Sequence, residues 1–187
     1  MTGVEVLSDD WYTLRKATFD YQAADGTWST QSREAYDRGN GATVLLYDAD
    51  RRTVLLTRQF RLPTFVNGNP DGMLIETPAG LLDEDDAEAA IRREVEEETG
   101  VTLGAVQPLF ELFMSPGSVT GRVAFFAAPY DATARDGTAG GGVEEEDIEV
   151  LELDVDAALA MVDDGRIADG KTVLRLQWAL LRGPFAA

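Results

Sequence analysis

Between Ile91 and Val101 the chain reads IRREVEEETGV, with four glutamates and two arginines in eleven residues. On a helix, at about 100° per residue, Glu94 and Glu98 lie about 40° apart, and Glu97 lies about 60° from Glu94 on the other side. Three carboxylates then share one face, although like charges at these spacings destabilise a helix by a few tenths of a kcal/mol per pair. Pairing at i+4 matches Arg93 with Glu97 and Arg92 with Glu96, which directs attention to Glu94 and Glu98. A solvated acidic face would need nothing more. A cage for a divalent cation would explain why the carboxylates are gathered.

Composition narrows the chemistry. The 187 residues contain no histidine and no cysteine. That excludes a Ser-His-Asp triad, a histidine base and a His- or Cys-ligated zinc. Acid–base work falls to carboxylates, lysine, tyrosine or a metal-activated water. A protein-held ion would have oxygen ligands, which suits hard cations such as Mg²⁺, Mn²⁺ or Ca²⁺. A net charge of −18, from 34 acidic and 16 basic residues, argues against nucleic acid or an anionic membrane as partner. No apolar run is long enough to span a bilayer, and the first residues lack a basic stretch followed by an apolar core, so a cytoplasmic protein is expected.

The elements that must carry these groups follow from periodicity. From Ala87 to Thr99 the pattern is helical, with Ala87, Ala90, Ile91 and Val95 on one apolar stripe and Gly100 where a helix would end. Upstream, residues 11–36 read as two antiparallel strands about Asp25-Gly26, a hairpin too small to be stable alone. GATVLLYDADRRTVLLTRQFR repeats the strand–turn–strand pattern. MLIETPAGLL begins as a strand and becomes a loop at Pro78-Ala79-Gly80. Strands follow in PLFELFMS, RVAFFAAPY and IEVLELDV, and two helices in VDAALAMVDD and KTVLRLQWALLR. The glycine-rich stretch before Glu144, Glu145 and Glu146 reads as a loop. The class expected is α+β, with residues 1–40 as a hairpin region and 41–187 as the main domain.

REVEEETGV, Arg93 to Val101, with Gly80 upstream, resembles the signature of the Nudix hydrolases, G-x5-E-x7-R-E-U-x-E-E-x-G-U with U aliphatic. The spacing from Gly80 to Arg93 is one residue short. The first acidic position therefore falls on Asp85 or Asp86. RQFRLPTFVNGNPDG, LIETPAGLLD, FELFMSPGSVT, GGGVEEEDIEVLEL and DGKTVL extend the likeness to the nucleotide-sugar branch, nearest to its GDP-mannose pyrophosphatases. The resemblance implies an α/β/α Nudix sandwich with an N-terminal antiparallel β-hairpin region. It also implies a Mg²⁺- or Mn²⁺-dependent homodimer in which the hairpin contributes to the partner's site, and a small-molecule nucleoside diphosphate substrate.

The same resemblance implies roles. Glu94, Glu98 and the Ala79 carbonyl are expected metal ligands, with Glu97 a ligand or a water-held neighbour that takes part in catalysis. Glu146 is an expected ligand, and the base is left between Glu144 and Glu146. Arg61, Lys171 and Gly80 fall at substrate-binding positions, as do Arg33, Glu34 and Trp11 of the hairpin region. The expected reaction is cleavage of GDP-mannose to GMP and mannose 1-phosphate. ADP-ribose, giving AMP and ribose 5-phosphate, is the alternative substrate, and a catalytically inactive nucleotide-binding sensor is the alternative of another class. Gly121 stands where the GDP-mannose enzymes carry a glutamate. It is expected to leave open space and so to admit both substrates.

Overall fold

The computed structural model describes residues 1–82, 86–131 and 147–186. Among them are ten strands and four helices, and the chain divides into two compact units. Residues 1–41 and 111–123 form the first; residues 42–110 and 124–187 form the second.

The first unit holds a three-stranded antiparallel sheet in which β2 (Thr13–Gln22) lies between β1 (Gly3–Asp9) and β3 (Trp28–Asp37). The β2–β3 hairpin matches expectation, and its turn is closed by Asp25, which accepts from the amide and hydroxyl of Thr27. β1 was not expected. No residue from 1 to 40 is buried, so this sheet has no core of its own. Asp37 organises the unit's other segment: Arg15 donates to it at 2.6 Å, and the Thr120 hydroxyl at 2.9 Å. These bonds, the one from Arg15 foremost, hold its carboxyl below the usual range.

The second unit is built on a mixed sheet. Its path runs β10 (Glu149–Asp154), β5 (Thr53–Phe60), β4 (Gly41–Asp48), β9 (Arg122–Pro129), β8 (Gln107–Phe113), with β6 (Met73–Glu76) paired to β5 and β7 (Ala79–Leu81) to β4. The alternation of strand side chains decides the layering. Val44, Leu46 and Leu55 face one way and pack with Ile91 and Val95 of α2 (Ala87–Thr99). Leu45, Val54 and Leu56 face the other and pack with Val155 and Ala158 of α3 (Val155–Asp163) and Leu176 and Ala179 of α4 (Gly170–Leu181). Helices therefore cover both faces, as an α/β/α sandwich requires. The short α1 (Leu62–Val66), with a proline in its first turn, was not expected. Pro78-Ala79-Gly80, read as a loop, gives its last two residues to β7.

α2 begins and ends where its chemistry dictates. The Asp86 carboxylate accepts from the amides of Glu88 and Ala89, and Gly100 ends the helix at φ 67°, a conformation that favours glycine. Arg92 does not pair forward with Glu96. It donates to Glu88 at 2.7 and 3.0 Å and to the carbonyls of Leu103 and Gly104. An acid four residues before a base is the better-oriented helical pair, and the departing carbonyls supply further acceptors.

The open space expected at Gly121 is absent. A Cβ built there would stand 2.3 Å from the carbonyl oxygen of Gly39. The glycine serves close backbone packing within the first unit. Gly121→Ala is therefore expected to lower stability by about 1–3 kcal/mol, the usual cost of overpacking. Urea denaturation of the variant beside the wild type measures it, and an unchanged midpoint would contradict the contact.

Candidate active site

Two contacts in the second unit bring the expected residues together. The first joins Gly80 of β7 to Glu94 of α2. A Cβ at Gly80 would meet the Glu94 carboxyl group at 2.2–2.4 Å. Glycine alone lets the helix carboxylate lie against the strand backbone beside Ala79. One turn further along α2, Glu98 is 5% exposed, whereas Glu96 and Glu97 face solvent. The helix thus presents Glu94 and Glu98 inward and Glu97 outward. Arg93 extends toward Glu94, with 4.0 Å between Nη2 and Oε1.

The second contact joins Arg61, which follows β5, to Lys171, in the first turn of α4. Both meet Glu76, a β6 residue that the sequence reading did not single out. Glu76 is 2% exposed. Its Oε1 accepts from Nε of Arg61 at 2.5 Å and lies 2.5 Å from Nη2 in the same ion pair, and its Oε2 lies 3.5 Å from the Lys171 ammonium. A buried carboxylate is tolerated when paired in this way. Lys171 also donates to Asp169 at 2.5 Å. Asp169 is the N-cap of α4, accepting from the amide and hydroxyl of Thr172 at 2.9 and 2.8 Å. A cation in a first helical turn is disfavoured by the helix dipole, and these two carboxylates offset that cost. Burial pushes the Asp169 carboxyl up, but the charge and hydrogen bond of Lys171, with the bonds from Thr172, outweigh it and set it below the usual range.

A buried polar seam supports both contacts. The Thr77 amide donates to the Thr172 hydroxyl at 2.9 Å, and the Thr43 hydroxyl donates to the Pro78 carbonyl at 2.9 Å. Arg175 of α4, fully buried, donates to the Thr43 hydroxyl and stacks on Phe125 with its guanidinium carbon 4.8 Å from the ring centre. Burial pushes Arg175 down to about 9, partly opposed by Asp169, so it stays charged at neutral pH. Its Nε and Nη1 find no hydrogen-bond partner among the described residues.

Trp11, Arg33 and Glu34 belong to the first unit. Trp11 is 81% exposed, with its ring edge-on to Tyr12. Arg33 donates to the Ser32 carbonyl and the Gln31 side chain, and Glu34 stands opposite Lys16 in the β2–β3 register. Glu144, Glu145, Glu146 and Asp85 lie outside the described residues.

Comparison with known proteins gives the family. Residues 37–176 match the model of the NUDIX domain, and residues 1–36 match that of the GDP-mannose pyrophosphatase NudK N-terminal domain. The chain belongs to the Nudix family. It is a Nudix hydrolase, and it is similar to the GDP-mannose pyrophosphatase of Pectobacterium atrosepticum, 57% identical over 97% of this chain and 94% of that protein. Those of Klebsiella pneumoniae and Yersinia enterocolitica are likewise 57% identical over 96% of this chain, covering 90% and 93% of their own lengths.

Nudix enzymes generally use divalent cations such as Mg²⁺. The residues present fit such an ion in kind: every donor is oxygen, and the bare Cα of Gly80 brings the Glu94 carboxyl beside the Ala79 backbone. Among the described residues no three acidic side chains form a complete cage by themselves.

The depressed Asp169 carboxyl gives a pH dependence. Its contribution to stability is fully present above the unfolded-state pKa of about 4 and is lost as pH falls through the lower folded value. Asp169→Asn, which keeps a good N-cap, is expected to lose less stability than the wild type as pH is lowered below about 4. Thermal melts across that range measure it, and parallel losses in both proteins would contradict the assignment.

Proposed function

We propose that this Nudix hydrolase cleaves GDP-mannose to GMP and mannose 1-phosphate. One observation carries the reading: Arg61 and Lys171, far apart in sequence, converge on one carboxylate four positions before the glycine that cradles Glu94. A diphosphate needs cations for its oxygens beside a place for a hard ion, and one short segment supplies both. The names of the relatives give the nucleotide and the sugar.

In this reading Glu94, Glu98 and the Ala79 carbonyl hold Mg²⁺ or Mn²⁺, joined by Glu146. When bound, such an ion neutralises phosphate charge and acidifies the attacking water. Arg61 and Lys171 bind the phosphates, beside Gly80. Glu144 or Glu146 takes the proton from water, with Glu97 assisting from the solvent side of α2. Trp11 stacks on the base, and Arg33 and Glu34 reach the substrate from a second subunit of a cytoplasmic homodimer.

Rates on GDP-mannose and ADP-ribose, side by side with Mg²⁺, test the substrate. GDP-mannose is expected to be preferred, and Glu98→Gln to cut turnover by orders of magnitude with the fold intact, because a neutral amide is a poor ligand for a hard cation. Preference for ADP-ribose would favour that alternative. Nucleotide binding without turnover would favour an inactive sensor.

The homodimer has its own support. A three-stranded sheet with no buried residue also exposes Val4, Val6, Leu7, Tyr21 and Trp28. Light scattering at micromolar concentration should report twice the chain mass. A fully active monomer would overturn the shared-site arrangement.

A further inference from the structure

Glu76 has no assigned role, yet it is the most constrained member of the cluster. Its backbone is fixed in the sheet opposite Thr57, whose hydroxyl donates to its carbonyl at 3.3 Å. Its side chain is buried. The side chains that meet it are looser in setting: Arg61 lies on the segment before a single-turn helix and Lys171 on the first turn of α4, with 35% and 22% of their side-chain surface exposed. Neither element fixes the other. The carboxylate joins them, with Oε1 given to the guanidinium and Oε2 facing the ammonium.

We propose that Glu76 is a positioning residue that sets both phosphate-binding cations in one geometry before substrate arrives. The proposal rests on the reading that Arg61 and Lys171 hold a diphosphate. Long cationic side chains lose considerable rotamer freedom on binding, and a buried carboxylate beneath them removes that freedom beforehand. Electrostatics alone predicts the opposite sign. Glu76 and Asp169 cancel the charges of Arg61 and Lys171, so without geometry Glu76 would only weaken an anion's attraction.

The opposed signs make a decisive test with two variants. Glu76→Gln keeps the length of the side chain and removes its charge. Glu76→Asp keeps the charge and draws the carboxylate back by one carbon–carbon bond, about 1.5 Å. Calorimetry with GDP on the full chain reads diphosphate binding without catalysis. Positioning predicts that both variants bind about tenfold or more weakly, the factor that freeing one long side chain sets. KM for GDP-mannose should rise with kcat changed far less, the mark of lost binding rather than lost chemistry. Adding Lys171→Ala to Glu76→Gln should weaken GDP binding less than Lys171→Ala does in the wild type, because the two share one contact. Tighter binding by Glu76→Gln, or wild-type binding by Glu76→Asp, would overturn the proposal. A purely structural role would lower the melting temperature and leave GDP affinity unchanged, which overturns it too. If both variants weaken GDP binding while the enzyme prefers ADP-ribose, the GDP-mannose reading fails and the positioning role stands. If both variants turn over GDP-mannose with the wild-type KM, the positioning role fails and the reading stands.

Discussion

The Glu94 carboxyl of helix α2 can lie against β7 only because Gly80 has no side chain. The Glu94 carboxyl occupies the volume that a Cβ would need. The apolar stripe of the helix decides which of its glutamates turn inward, and that contact gives Glu94 its place. Ile91 and Val95 reach the core on the same register, so apolar burial and placement of the carboxylates are one event. Closing the stretch with Gly100 and opening it with the Asp86 cap holds the register at both ends. The dense acid content of the segment is tolerable because the load is divided: Glu98 is inside, Glu94 is half-buried, and Glu96 and Glu97 are left to water.

A protein of net charge −18 that handles an anionic substrate must concentrate cations locally. Two of its cations, Arg61 and Lys171, meet over buried acids. Glu76 and Asp169 hold Arg61 and Lys171 at short range, and Arg175 lies fully inside the same unit. A guanidinium without water is costly, and stacking on Phe125 repays part of that. Its remaining justification is mechanical: through Thr43 it braces Pro78, next to the residues that line the candidate site.

The strongly periodic segments were legible in the sequence. The limits of α2 follow from the apolar stripe and the glycine, and α4 and the central strands from their patterns. β1 and α1 were missed for different reasons. β1 alternates Val4 and Val6 with Glu5, a true strand signal, but seven exposed residues bury nothing that would advertise it. α1 has five residues, too few for a helical period. The site was half legible. The family signature marked Glu94 and Glu98, the wider resemblance marked Arg61 and Lys171, and neither marked Glu76 or Arg175. Both are lone charges in apolar runs, MLIET and VLRLQWALL, and such a charge is seldom buried without a partner. That was the available signal. Which partner it finds depends on tertiary contacts that spacing does not encode. Gly121 was misread because an absent side chain looks like room, whereas here a neighbouring carbonyl fills it.

The threonines at 43, 77 and 172 have one further property. A hydroxyl owns a single proton. Thr172 spends its proton on Asp169, and Thr43 spends its own on the Pro78 carbonyl. The 3.2 Å contact between Thr43 and Thr77 must then be donated by Thr77, which leaves the 3.5 Å approach of Thr77 to Thr172 with no proton at all. The seam is therefore two directed chains that part at Thr77. One runs from the Thr77 amide through Thr172 to a carboxylate. The other gathers Arg175 and the Thr77 hydroxyl at Thr43 and ends on a carbonyl. Each has a fixed sense, from donor toward acceptor, and neither can reverse without stranding a buried group. Three interchangeable-looking side chains thus hold non-interchangeable places.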